Sequence, residues 1–373
     1  MGIEIDREEF DEADRARFSA KLERCVAALG RLLERDGFGA GPASIGAELE
    51  LDLVGTDERP MPINRKVLAS TLDGRVTLEV DRFNLEINAR PCALAGRPFE
   101  AMAAELDSAL AATRDAARAH GAEVVTIGIL PTLRQEDLGA AALTEKVRYR
   151  ALSNALRRTR GAPFSVRIEG EDALDVAADD VTYEEANTSF QVHLRVEPAA
   201  FAAAYNAAQL ATAVVVAVSG NSPLFLGRRL WEETRVALFR QAVDDRSAAD
   251  DDWRPARVSF GHGWVRAGAL ELFAEAVALH EALLPVTTEE DPVAVLDAGG
   301  TPALAELRLH QGTVWTWNRA IYDQVDGGHL RVEMRALPSG PTVTDMVANA
   351  AFALGLTLGL AERAHELLPR ITF

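Results

Sequence analysis

Residues 45–54 read IGAELELDLV. Successive side chains of a strand point to opposite faces of its sheet, so Leu49, Leu51 and Leu53 form one face and Glu48, Glu50 and Asp52 the other. The same two-residue alternation returns in three distant segments. In LEVDRFNLEINAR (78–90), Leu85 and Ile87 oppose Glu86, Asn88 and Arg90. Glu79 and Asp81 have the opposite parity there, and join the polar face only if a bulge or turn intervenes. In SFQVHLRV (189–196), Phe190, Val192, Leu194 and Val196 oppose Ser189, Gln191, His193 and Arg195. In HLRVEMRA (329–336), Leu330, Val332 and Met334 oppose His329, Arg331, Glu333 and Arg335.

Any one of these polar faces alone would read as a surface turned to water, as in many antiparallel sheets. Jointly they do not. Solvent faces favour Lys, Thr and Ser, yet these four segments contain no lysine and concentrate Glu, His, Gln and Arg. If the segments are neighbours, their shared face is a site. Two like charges about 4 Å apart repel by about 1 kcal/mol in water and about 4 kcal/mol near a protein surface, so clustered carboxylates need compensation. Divalent cations supply it, and oxygen donors with one imidazole suit Mg²⁺ or Mn²⁺ rather than Zn²⁺. Mg²⁺ keeps several waters and shares substrate phosphates, which points to a nucleotide. Arg335, on the face of Glu333, is placed to stabilise charge developing on a transferred phosphoryl group.

Around these strands the chain shows helical spacing in Asp6–Leu33, Pro98–His120, Pro198–Val218, Ala267–Leu284 and Thr344–Leu368, and further alternation in Ser165–Glu169 and Ala305–His310. The mixed order predicts an α+β fold on a largely antiparallel sheet, in one domain of residues 1–373 with residues 1–40 as a helical N-terminal extension. Asp244–Arg254 (DDRSAADDDWR) reads as a solvated loop. Two apolar runs, Leu210–Val218 and Met346–Leu360, are too short to span a bilayer and interrupted by Asn349 respectively, so both read as buried helices and no membrane partner is expected. The formal charge of −18, with 39 Lys plus Arg against 57 Asp plus Glu, argues against a nucleic-acid partner. The two cysteines, Cys25 and Cys92, read as buried thiols in a reducing compartment. The acidic segment Met1–Asp14 lacks the marks of a secretion signal, so the expected location is the cytoplasm.

These residues together resemble the second glutamate-cysteine ligase family over residues 45–350. The likeness is carried by the GxExE strand (Gly46, Glu48, Glu50), a Glu-x6-Glu pair (Glu79, Glu86) and the Gln191-Val192-His193 strand. The helix end SGNSP-x3-G (Ser219–Gly227) followed by Arg235, and the Glu333-x-Arg335 strand, complete it. Each motif is weak alone; their joint presence in this order is specific. The resemblance implies a glutamine-synthetase-like fold: a curved, largely antiparallel sheet with helices packed on one face, holding two or three Mg²⁺ (or Mn²⁺) ions between ATP and an amino-acid substrate. It implies Glu48, Glu50, Glu79, Glu86, His193 and Glu333 as metal ligands, with Asp81 as a substitute for Glu79. Gln191 would lie beside the nucleotide, and Arg235 and Arg335 would act as catalytic residues, holding substrate carboxylates and the γ-phosphate.

The reaction so implied is ATP-dependent joining of a carboxylate, the γ-carboxylate of glutamate, to cysteine or another amine through an acyl phosphate. It needs no side-chain nucleophile, and the sequence has neither GxSxG nor a Walker loop. The amine is not written in any motif. Segments Arg257–Arg266 and Leu309–Arg319 carry pocket-forming groups (His262, Trp264, Trp315, Trp317), of which Asn318 and Arg319 are expected to bind substrate. Two other readings stay open: a ligase of the same fold activating a different carboxylate, and a non-catalytic nucleotide-binding or regulatory protein. The family likeness makes a homodimer reasonable.

Overall fold

Burial of the apolar halves of the alternating segments gathers them into one sheet. The computed structural model describes residues 5–247 and 253–373. Its strands are β1 (Ser44–Val54), β2 (Val76–Leu78), β3 (Asn84–Ala93), β4 (Glu123–Val125), β5 (Phe164–Glu169), β6 (Ala173–Ala178), β7 (Phe190–Val196), β8 (Asn318–Asp323) and β9 (His329–Met334), besides shorter bridges. Its principal helices are α1 (Glu12–Leu33), α2 (Pro98–Arg118), α3 (Val147–Arg160), α4 (Thr182–Glu185), α5 (Phe201–Ser219), α6 (Arg235–Ala242), α7 (Ala269–Leu279), α8 (Ala305–Gln311) and α9 (Val343–Ala361). Seven strands form an antiparallel sheet in the order β8-β9-β7-β1-β3-β2, with β4 on the far end of β1. The four segments expected to be neighbours are neighbours. A bulge between Ile45 and Ala47 breaks the β1–β3 register and bends the sheet.

One face is the core. Leu49, Leu51, Leu85, Ile87, Val192, Leu194, Leu330 and Val332 are all buried there, beneath α2, α5 and α9. The opposite, polar face is partly roofed by a smaller apolar cluster that draws on the β5–β6 hairpin, α4 and α6. The fold is therefore α+β with a curved antiparallel sheet and its main helices on one side, as expected.

Several expectations need correction. Ala305–His310 is helical, not a strand. Its alternation fits one and a half helical turns equally well, and Glu306, Leu307, Leu309 and His310 are all buried, so neither face was free to show a helical period. The expected solvated loop is anchored at one end: Asp245 is buried and paired with Arg257 (2.6 Å) and Arg254 (2.7 Å). Residues 248–252 of that segment lie outside the described residues. Cys25 is buried, but Cys92 only half so. Finally, α5 and α9 are both long and apolar enough to cross a membrane by length and composition, yet both pack on the core as expected; α9 does so along one side, with Met346, Ala350, Ala353, Leu354 and Thr357 buried.

His280 and His310 are buried, and burial lowers their pKa values to about 3 and about 4. Both stay neutral in the fold, whereas in the unfolded chain they take up protons below about pH 6.5. The unfolded state then binds more protons, so their contribution to stability is lost as the pH falls from 6.5 towards 4. Each should cost about 2 kcal/mol by pH 5. His280 Nδ1 has no hydrogen-bond partner. The stability of His280→Leu relative to wild type, read from urea midpoints, is therefore expected to rise by about that amount between pH 7 and pH 5.

Candidate metal and phosphate site

The register fixes which polar side chains meet. Across the sheet, Arg319 of β8 pairs with Glu333 of β9, Glu333 with His193 of β7, Gln191 with Glu48 of β1, and Glu50 with Glu86 of β3. All project from the polar face.

Glu48, His193 and Glu333 offer ligand atoms within 4.8 Å of one another. His193 is buried, and its Nε2 lies 3.2 Å from Glu48 and 3.8 Å from Glu333. Neither ring nitrogen completes a hydrogen bond. A buried imidazole that faces two carboxylates without bonding to them fits a cation held among the three. Glu333 is itself clamped: Arg319 donates to both its oxygens (2.7 and 3.1 Å) and Arg335 to one (3.2 Å). Burial pushes its carboxyl up, but Arg319, Arg335 and His193 together outweigh that and hold it well below the usual range. Glu48 is likewise pushed up by burial and brought down, on balance, by His193. Both stay ionised.

A second group behaves in the opposite way. Burial, then the charge of Glu79, raises Glu50 to about 7. Burial followed by Glu48, Glu79 and Glu50 raises Glu86 well above the carboxylate range. Glu184 and Glu185 of α4 belong with them: burial and the charges of Glu50 and Glu79 lift Glu184 to about 8, and burial and Glu79 raise Glu185 well above its ordinary value. These carboxylates are crowded with too little positive charge nearby, which is what a bound divalent cation would relieve. Glu79 stands against Glu50 and Glu86 because β2 ends at Leu78 and a turn intervenes. Asp81 is instead fully buried with neither carboxylate oxygen bonded, and burial and Asp180 raise it well above its ordinary value.

Gln191 joins the two groups. Its Nε2 donates to Glu50 (3.0 Å) while its Oε1 accepts from Arg335. The amide of Ser189 also donates to Glu50 (2.6 Å). Arg235 is buried at the edge, donating to Glu233 (2.8 Å) and the Ala336 carbonyl (3.2 Å), and its charge acts on Glu50.

Other expected residues lie elsewhere. Asn318 precedes Arg319 in the same strand, so it faces the helices; its Nδ2 donates to Gln209 (2.6 Å) and Thr212 (2.9 Å) of α5. It is a packing residue, and only Arg319 reaches the carboxylates. Trp315 and Trp317 are buried edge-on against Phe239. His262 pairs with Glu275 (2.9 Å) and Trp264 donates to the Ile371 carbonyl (3.1 Å). The site thus includes Glu184 and Glu185, which the alternation did not reveal.

A family model described as glutamate-cysteine ligase family 2 matches residues 44–368. Among solved structures, the glutamate–cysteine ligase of Francisella tularensis, in complex with AMP, is similar with a TM-score of 0.54 at 12% identity, covering 87% of this chain and 67% of that one. A bifunctional glutathione synthetase from Pasteurella multocida gives a TM-score of 0.44 at 9% identity, covering 94% and 42%. No curated protein matches the sequence. At these identities the structural likeness speaks for the fold, and the family match speaks for the chain.

Proposed function

Because this chain belongs to glutamate-cysteine ligase family 2, and is an ATP-dependent carboxylate–amine ligase, we propose that it activates the γ-carboxylate of glutamate and transfers the γ-glutamyl group to an amine. The observation that carries the reading is the convergence of Glu48, His193 and Glu333 within 4.8 Å, beside the guanidinium groups of Arg319 and Arg335. Glu48, His193 and Glu333 would hold one Mg²⁺ or Mn²⁺, and Glu50, Glu79 and Glu86 a second. Such ions, when bound, neutralise the triphosphate. Arg335, fixed by Gln191 and Glu333, keeps donors free for the transferred phosphoryl group, and Arg235 holds a substrate carboxylate. The γ-carboxylate oxygen attacks the γ-phosphate, ADP leaves, and the amine nitrogen displaces phosphate from the acyl phosphate.

The test is ADP release from ATP and Mg²⁺, scanning carboxylates first and amines second. Turnover that needs both glutamate and an amine is expected. Turnover that needs another carboxylate would remove glutamate from the reading and leave the ligase chemistry. Absence of ADP with every pair, despite Mg-ATP binding, would point to a non-catalytic nucleotide-binding role.

The second carboxylate group gives a separate expectation. Near neutral pH, Glu50 at about 7 and Glu86, raised well above the carboxylate range, retain protons that a cation must displace. Titration calorimetry of Mg²⁺ in two buffers of different ionisation enthalpy should find about one to two protons released per ion at pH 7, with affinity falling about tenfold per proton for each pH unit below that. Binding without proton release would place the cation away from Glu50.

A further inference from the structure

The polar face of the sheet does not end at Glu50 and Glu86. One step further along the same strands, Asp52 of β1 pairs with Asn84 of β3. Parity puts both on the side of the carboxylates, about 7 Å beyond Glu50 and about 14 Å beyond Glu48 along β1. Asn84 Nδ2 donates to Asp52 Oδ1 (3.0 Å), which leaves Asp52 Oδ2 and Asn84 Oδ1 on either side of that bond without a partner. Asp81 heads the turn that delivers Asn84. The Asn84 amide donates to the Asp81 carbonyl (3.0 Å), and Asn64 Nδ2 donates to the carbonyls of Asp81 (3.0 Å) and Asn84 (3.2 Å). The backbone of the turn is thus held, while neither carboxylate oxygen of Asp81 has a partner. Water does not reach them: Asp81 and Asn84 are 0% exposed and Asp52 2%.

Four side-chain oxygens of three enclosed residues are therefore left open. Protein interiors pair such groups, and an enclosed carboxylate above all needs a positive partner. The side chains around it do not supply one. The charges that act on Asp81 are those of Asp180, Glu184, Asp52 and Glu79, all negative. Asp52 has the Asn84 amide and the adverse charge of Glu50. We infer that Asp52, Asp81 and Asn84 hold a structural cation of the Ca²⁺ type, at a site separate from the two proposed to serve the nucleotide. Oxygen donors alone, from carboxylates and an amide, suit a hard cation and give Zn²⁺ or Cu²⁺ none of the nitrogen or sulfur they prefer. Two carboxylates carry the charge that a divalent ion neutralises. Enclosure then selects among divalent ions, because Mg²⁺ sheds its waters reluctantly whereas Ca²⁺ accepts carboxylate and amide oxygens in flexible geometry. The ion ties β1 and β3 to the turn after β2, the same turn that carries Glu79 to the second carboxylate group. The inference does not depend on which carboxylate the catalytic site activates.

Equilibrium dialysis of the full chain against Ca²⁺ in excess Mg²⁺, followed by metal analysis, tests it. The Mg²⁺ keeps Ca²⁺ from the catalytic face. Wild type and Glu48→Gln are both expected to retain one Ca²⁺ per chain, and Asp52→Asn and Asp81→Asn to lose it. Thermal melts distinguish lost binding from lost folding. Ca²⁺ at about a hundredfold excess over its Kd should raise the wild-type midpoint by about 3 °C and leave that of Asp81→Asn unmoved. Without Ca²⁺, Asp81→Asn should be the more stable of the two, since it removes a buried charge that then has no partner. A wild type that retains no Ca²⁺ overturns the inference, as does an Asp81→Asn variant that retains it as the wild type does. Loss of Ca²⁺ from Glu48→Gln would overturn it too, and assign the ion to the catalytic face.

Discussion

Glu48→Gln is expected to lower ATP turnover by on the order of 10²–10³-fold while leaving the protein folded. Glu48 is half-buried, the His193 ring lies 3.2 Å from it, and its charge burdens Glu86. Amidation removes one charge from the proposed ligand set together with its repulsion of Glu86, and leaves no arginine without a carboxylate. Glu333→Gln should lose turnover to the same extent but for a compound reason. Glu333 is only 2% exposed and receives both Arg319 and Arg335, so neutralising it leaves two guanidinium groups without their shared carboxylate, held only by Gln191 and the Gln311 carbonyl. Removing one partner of a buried ion pair costs about 3–5 kcal/mol. Comparing ADP release and urea midpoints for the two variants separates the roles. Near-normal turnover in Glu48→Gln would show that Glu48 holds no ion, and equal stability of the two variants would show that the arginines do not depend on Glu333.

Gly340→Ala is expected to cost about 3 kcal/mol or more. Gly340 has φ +76°, and an added Cβ would lie 2.0 Å from the Thr126 carbonyl oxygen and 2.5 Å from its carbon, with backbone on both sides of the conflict. The turn cannot simply yield, because it buttresses the site. Ser339 Oγ donates to the Glu50 carbonyl (2.7 Å), its amide donates to Thr188 (3.2 Å), and Asn221 donates to the Ser339 carbonyl (2.8 Å). Loss of stability should therefore be joined by weaker Mg²⁺ binding at Glu50. Guanidinium denaturation and calorimetry check the two effects, and an unchanged midpoint would show that the turn relaxes freely.

The sheet and much of its polar face were legible because parity is a strict rule. Once Glu48, Glu50, Gln191, His193, Glu333 and Arg335 alternate with buried aliphatics, the backbone leaves them one side on which to project. The same rule shows why Asn318 and Arg319 could not both reach the site: adjacent strand residues face apart, and the ion pair with Glu333 selects Arg319. Glu184 and Glu185 escaped notice because a four-residue helix before a strand has no period to read.

The register of β1, β7 and β9 also bears on how the protein reaches its working state. Glu48, His193 and Glu333 meet only after strands far apart in sequence have paired, with β7 laid between the other two. Contacts so non-local form late and slowly, since loop closure must precede them. In refolding, divalent-cation binding should then arise only once β1, β7 and β9 have all paired, trailing the recovery of helical signal.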